Sequence, residues 1–189
     1  MDQTRASRRA LVCGGGDGRF LARLLHSNPV VEVDFVDLSQ RMATIAERRV
    51  MGMGARFSRR VRFHVGDIRT FAAERQRYDL ITTHFFLDCF SDREIDSIVS
   101  RLAAAARPGA QWIISDFRVA QEALGAIWTY AIVRGLYAAF RITTGLRVSR
   151  LPEYKSSLLA HGFHCRMEQR GFAGLLYSSL WKAPMSSAA

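Results

Sequence analysis

From residue 10 to residue 181, short apolar runs alternate with longer segments whose apolar residues recur at helical spacing. The runs predict strands at Ala10–Cys13, Val31–Asp37, Val61–Val65, Asp79–Thr83, Gln111–Asp116, Phe163–Glu168 and Leu175–Trp181. The segments between them predict helices at Arg19–Leu25, Ser39–Met51, Ser91–Arg107, roughly Val119–Ile142, and Pro152–Ala160. Ser91 followed by Glu94 forms a capping box, and Pro108-Gly109 marks a helix end. Pro152 suits a first helical turn and Gly162 a C-terminal cap. Strand–helix alternation implies an α/β protein with a mostly parallel sheet covered on both faces. The final two strands are joined by a short Gly171/Gly174 connection that leaves no room for a crossover helix, so they are expected to be antiparallel neighbours.

Composition narrows the class. At 189 residues, 49% hydrophobic and 23% charged, the chain reads as one globular domain, residues 1–189. The longest apolar stretch, 124–140, contains Arg134, Gly125 and Gly135, which makes a poor transmembrane span. No opening segment has the pattern of a signal peptide. Cys13, Cys89 and Cys165 are widely separated, without disulfide or zinc spacing, which fits a cytoplasmic location. The net charge of +10 suggests nucleic acid, but Lys stands only at 155 and 182 and the other 25 basic residues are scattered arginines. A solvated arginine surface explains that pattern better than a concentrated binding face.

In sheets of this kind ligands bind at the carboxyl ends of the strands. The first strand ends in Gly14-Gly15-Gly16-Asp17-Gly18, where glycines permit a sharp turn and close approach of a ligand to the main chain. A helix N-terminus follows, with unpaired N–H groups. The second strand ends on Asp37, nineteen residues beyond Gly18 and followed by Leu38, placed to accept both hydroxyls of a ribose. Capping the helix near Ser39 is the plainer role for Asp37. The third strand ends in Gly66-Asp67-Ile68, an acid with an apolar neighbour suited to a purine; a turn aspartate is again the plainer role.

Gly14-Gly15-Gly16-Asp17-Gly18, Asp37, Asp67-Ile68, Tyr78-Asp79-Leu80 and Arg107-Pro108-Gly109-Ala110 resemble, in order and spacing, the successive motifs of class I S-adenosylmethionine-dependent methyltransferases. The resemblance implies a Rossmann-like, seven-stranded sheet of order 3-2-1-4-5-7-6, with the last strand antiparallel. It implies S-adenosylmethionine as cofactor. The glycine loop would lie against its methionine part, Asp37 and Leu38 near the ribose, and Asp67 with Ile68 at the adenine. Thr83 and the residues after strand four would face the sulfonium.

Residues 82–90, Thr-Thr-His-Phe-Phe-Leu-Asp-Cys-Phe, bear on the reaction. His84 stands where the acceptor would meet the methyl group and is a candidate base, or a hydrogen-bond partner of cofactor or backbone. Asp88 can orient His84 only if this stretch turns helical. Phe85 and Phe86 are candidate walls for the acceptor. Aminopropyltransferases share the glycine string but carry an acidic segment after strand four; here Thr82–Phe86 holds no acid, which favours methyl transfer. The Asn/Asp-Pro-Pro-Tyr/Phe segment of amino-directed nucleic-acid methyltransferases is also missing. Arg19, where a dinucleotide loop needs glycine, argues against a nicotinamide cofactor.

Residues 118–150 are expected to form a helical insert after strand five. Trp128 and its neighbours are apolar around nearly the whole helix, which suits a buried helix, the cover of an apolar acceptor, or contact with a membrane surface. The family commonly has a helical cover before the first strand, and only about eight residues precede the strand here; the expectation is a truncated start, a cover from another subunit, or an insert that does the whole job. The resulting expectation is methyl transfer to a small, largely apolar acceptor by in-line displacement. An RNA-directed methyltransferase and a catalytically silent cofactor-binding module remain as rivals.

Overall fold

A computed structural model describes residues 7–117, 154–171 and 176–185. The chain order is β1 (Arg9–Cys13), α1 (Arg19–Ser27), β2 (Glu32–Asp37), α2 (Gln40–Gly52), α3 (Ala55–Ser58), β3 (Val61–Val65) and β4 (Tyr78–His84). A 3-10 turn at Leu87–Cys89 leads to α4 (Asp92–Ala105), β5 (Ala106–Phe117), α5 (Tyr154–Ala160), β6 (His164–Gly171) and β7 (Leu176–Lys182). The expected insert at 118–150 lies outside the described residues.

The strands form a single seven-stranded sheet in the order β3-β2-β1-β4-β5-β7-β6. β1 pairs in parallel with β2 and β4, β2 with β3, and β4 with β5; β7 runs antiparallel to both β5 and β6. The expected fold class is therefore the one observed. Period-two alternation in β1 divides the core: Ala10 and Val12 face α1 and α2, joining Leu21, Leu24 and Phe35. Leu11 and Cys13 face α4 and α5 on the opposite side, joining Ile81, Trp112 and Ile95. Both faces are thus buried, which parallel pairing requires.

The local signals act as their chemistry demands. Glu94 accepts the Ser91 backbone N–H at 3.0 Å and its hydroxyl at 2.7 Å, fixing the start of α4. Gly162, at φ +76°, closes α5: its N–H reaches Leu159 O (2.9 Å), and Phe163 N–H reaches Leu158 O (3.0 Å). One boundary differs from expectation. Helix α4 stops at Ala105 rather than Arg107, and Pro108-Gly109 lies inside β5. There the β4–β5 register shifts between Tyr78 and Leu80, a bulge that tolerates a proline without a donor and a glycine at φ +74°.

Candidate active site at the carboxyl ends of the strands

The glycine loop leaves β1 with Gly14, Gly16 and Gly18 all in the left-handed region, at φ 62°, 56° and 77°. A β-carbon on Gly14 would enter the Phe86 ring, and one on Gly15 the Phe35 ring. On Gly18 it would lie 2.7 Å from the Ala46 methyl, where α1 and α2 cross. Gly16 differs, because a β-carbon there would meet nothing within 4 Å. Three glycines therefore let the loop pack, while Gly16 leaves the loop's open side bare.

Asp37, at the end of β2, is tied to that loop. Its Oδ2 accepts the Gly16 N–H at 3.0 Å and its Oδ1 the Ser39 N–H at 2.8 Å. Each oxygen keeps lone-pair capacity for another donor. Burial pushes this carboxyl above its usual range, and the two N–H bonds pull it back. The helix cap is supplied by Ser39, whose hydroxyl accepts the Met42 N–H at 3.3 Å. Asp37 is thus not the N-cap of α2, and Leu38 beside it leaves 59% of its surface exposed. A bare glycine, a carboxylate with spare acceptor capacity and an exposed apolar neighbour fit an adenosyl group with a ribose diol.

Asp67 is more committed. Its carboxylate accepts Arg69 N–H at 2.8 Å and Arg69 Nε at 2.8 Å, and Arg69 Nη1 continues to Glu94 at 2.6 Å. The Arg69 guanidinium holds the Asp67 carboxyl below its usual range. Asp67 therefore works as a turn aspartate and as part of a brace to α4, and only its remaining lone pairs are left for a ligand. The Ile68 side chain is buried in the α4-side core. Thr83 is fully buried, with its hydroxyl accepting Trp112 Nε1–H at 3.2 Å. A cofactor contact from Ile68 or Thr83 would come from the main chain.

Beyond β4, the His84 ring lies against Phe20 with centroids 4.2 Å apart, and its buried Nε2 has no hydrogen-bond partner. Burial pushes the imidazole down to about 4, so it is neutral at physiological pH. A base that weak takes no proton from a hydroxyl at neutral pH; the unpaired nitrogen is instead a hydrogen-bonding group. Phe85 holds φ 52°, a strained value for a bulky residue, with its N–H on Ser115 O at 2.6 Å. Phe86 packs over Gly14 and meets Phe90 edge-on at 5.0 Å. The 3-10 turn does form at Leu87–Cys89, yet Asp88 does not orient His84. It lies on the α4 side, with Cys89 Sγ 3.6 Å from its Oδ1, whereas His84 points to the α1 side. Trp128, the remaining expected acceptor contact, lies outside the described residues.

The sequence pattern did not single out Asp116, the last polar position of β5. It is 4% exposed, and neither carboxylate oxygen has a hydrogen-bond partner. Burial, reinforced by the negative charge of Asp88, pushes it up to about 8; the nearby Phe86 N–H offsets part of this without making a hydrogen bond of normal geometry. The available signal was the one that found Asp37, an acid ending a strand. The place after strand four is therefore not without acid: one carboxyl comes from the following turn and the other from the neighbouring strand.

The 3-2-1-4-5-7-6 sheet, with a glycine loop at the end of β1 tied to the Asp37 carboxylate at the end of β2, is the class I S-adenosylmethionine-dependent methyltransferase fold. The chain belongs to the methyltransferase-domain family, whose model matches residues 11–111. Among solved structures it is similar to the mitomycin 7-O-methyltransferase MmcR, with TM-score 0.72 and 17% identity over 95% of this chain and 50% of that one. It is also similar to the N-methyltransferase NodS from Bradyrhizobium japonicum in complex with S-adenosyl-L-homocysteine. There the TM-score is 0.68 and the identity 15%, over 95% of this chain and 79% of that one. A polyamine aminopropyltransferase of Bacillus cereus is 36% identical over 83 residues, 41% of this chain and 23% of the relative. The chain thus spans half the length of MmcR and about a quarter of the aminopropyltransferase. Among the described residues no helix is long and apolar enough to cross a membrane, and no His/Cys/Asp/Glu cluster suits a metal ion.

Proposed function

We propose that the chain methylates a small, largely apolar acceptor, with S-adenosylmethionine as donor. The observation that carries this reading is the Gly16–Asp37 hydrogen bond, which sets a carboxylate with spare acceptor capacity beside the bare side of the loop. Asp37 takes the ribose hydroxyls, and the main chain of Gly14, Gly15, Gly16 and Gly18 bounds the methionine end. Leu38, Asp67 and Ile68 flank the adenine. The bound donor supplies a methyl group on a sulfonium, which needs alignment and dryness more than a strong base. Phe85 and Phe86 give the acceptor an apolar wall, and His84 Nε2 offers it a hydrogen bond. A small acceptor is supported by the fold's likeness to enzymes such as MmcR.

Aminopropyl transfer is the second reading, favoured by the aminopropyltransferase relative and by the two acids Asp88 and Asp116. The two reactions break different carbon–sulfur bonds of related donors. Parallel incubations of a panel of small acceptors with methyl-labelled S-adenosylmethionine and with its decarboxylated form, with mass spectrometry of the products, separate them. Methyl transfer adds a net CH₂ to the acceptor's formula and carries the label with it. Products carrying an aminopropyl increment from the decarboxylated donor, with none from S-adenosylmethionine, would overturn the reading.

A further inference from the structure

We propose that Arg69 is the positioning residue that makes the donor site select a 6-amino purine, by holding the Asp67 carboxylate in one orientation with a single acceptor position open. This rests on the reading that Asp67 flanks the adenine, and adds what sets the selectivity there. Three observations carry it. First, Arg69 takes most of the acceptor capacity of Asp67. Asp67 Oδ2 accepts Arg69 Nε at 2.8 Å and Nη2 at 2.5 Å, and Oδ1 accepts the Arg69 backbone N–H at 2.8 Å. A carboxylate offers about four acceptor positions, so one remains, on Oδ1. The Asp67 side chain is 23% exposed, which leaves the carboxylate reachable from outside the core. Second, the guanidinium is itself held from the other side. Its Nη1 donates to Glu94 Oε1 at 2.6 Å, and Glu94 Oε2 accepts the Ser91 N–H and hydroxyl that begin α4. Arg69 is thus gripped at both ends, and Asp67 is fixed against α4 rather than left on a free turn. Third, the guanidinium lies 5.9 Å from the centroid of the Phe90 ring, and Phe90 meets Phe86, which packs over Gly14. The brace that orients Asp67 therefore reaches the glycine loop through two rings.

The chemistry then selects among purines. An ionised carboxylate accepts hydrogen bonds and donates none. The Arg69 guanidinium holds the Asp67 carboxyl below its usual range, which keeps it in that form. An exocyclic amine at C6 supplies the N–H that the open Oδ1 position needs. A 6-oxo purine presents a lone pair there instead, and a fixed carboxylate can neither turn aside nor offer a proton to meet it. Without the guanidinium the carboxylate regains its rotation, and the distinction between the two purines fades.

The test reads a ratio of affinities. Calorimetric titration at pH 7 compares S-adenosylhomocysteine with S-inosylhomocysteine, its 6-oxo counterpart, on the native chain, Arg69→Gln and Arg69→Lys, each confirmed as folded by urea unfolding. The native chain should prefer the adenosyl compound by roughly tenfold or more, the worth of a hydrogen bond to a charged group. Arg69→Gln should lose most of that preference. Arg69→Lys, which keeps the charge but not the two-pronged donation, should fall between them. A merely structural arginine would weaken both compounds alike and leave the ratio unmoved, so an unchanged ratio in either variant would overturn the proposal; if Arg69→Gln does not fold, Arg69→Lys decides alone. Asp67→Asn reports on the reading beneath it. A native preference that survives Asp67→Asn undiminished would remove Asp67 from the adenine and overturn the proposal with it. Failure of the native chain to bind either compound would overturn the S-adenosylmethionine reading as well.

Discussion

Replacing Asp116 by asparagine should make the protein more stable as pH rises, relative to the unmodified chain. The carboxyl ionises at an ordinary 3.8 when unfolded but holds its proton up to about 8 when folded. Between those values the folded state binds more protons than the unfolded one, so stability falls as pH rises and the fall is complete above 8. Every tenfold difference in proton affinity between the two states is worth ~1.4 kcal/mol, which puts the ceiling at pH 7 at about 4 kcal/mol. Relaxation and water entry around a buried charge reduce that, and about 2 kcal/mol is the expected size. Asparagine keeps the shape and the buried polarity but cannot ionise. Urea unfolding of both proteins at pH 5, 6, 7 and 8 measures the difference, and pairwise comparison cancels the other titrating groups. The gap should widen in favour of Asp116→Asn across that series. Parallel profiles would show that Asp116 ionises normally in the folded protein and would remove the orphaned carboxyl from the account.

Gly18→Ala places a methyl 2.7 Å from Ala46 at φ +77° and should cost about 2 kcal/mol or more in unfolding experiments. Gly16→Ala, with open space around it, should cost about 1 kcal/mol for backbone strain alone yet weaken S-adenosylhomocysteine binding at least tenfold; equal effects of the two substitutions on both assays would refute the division of labour in the loop. His84 is neutral from about pH 5 upward, so the pH–rate profile should show no inflection near 6.5, and one that vanished in His84→Phe would restore the histidine as a titrating base. His84 should also make the folded protein less stable as pH falls from 6.5 towards 4, because only the unfolded chain takes up the proton; His84→Phe should lose that dependence in acid unfolding curves.

Much of the fold was legible because the hydrophobic period changes sharply between strands and helices. The glycine loop and Asp37 were legible for a related reason, since a strand that ends in glycines or an acid marks the ligand edge of a parallel sheet. The single-turn α3 was not, because four residues around the buried Phe57 show no period. The start of β5 was misplaced because Pro108-Gly109 signals a helix end and a strand bulge equally well. Site chemistry was harder to read. That Asp67 is engaged by Arg69, or that Asp88 turns from His84 towards Asp116, depends on which sheet face each side chain takes. The same holds for His84: its residue type suggested a base, and only burial against Phe20 shows a neutral ring.

The central claim is that Asp37, held by Gly16 and Ser39, receives the ribose of S-adenosylmethionine. Calorimetric titration of S-adenosylhomocysteine into the native chain and into Asp37→Asn tests it most directly, with an unfolding curve to confirm that the variant is folded. Loss of a charged acceptor to two hydroxyls should weaken binding by about 1.5–3 kcal/mol, at least tenfold in Kd. Equal dissociation constants for a folded Asp37→Asn and the native chain would contradict the account.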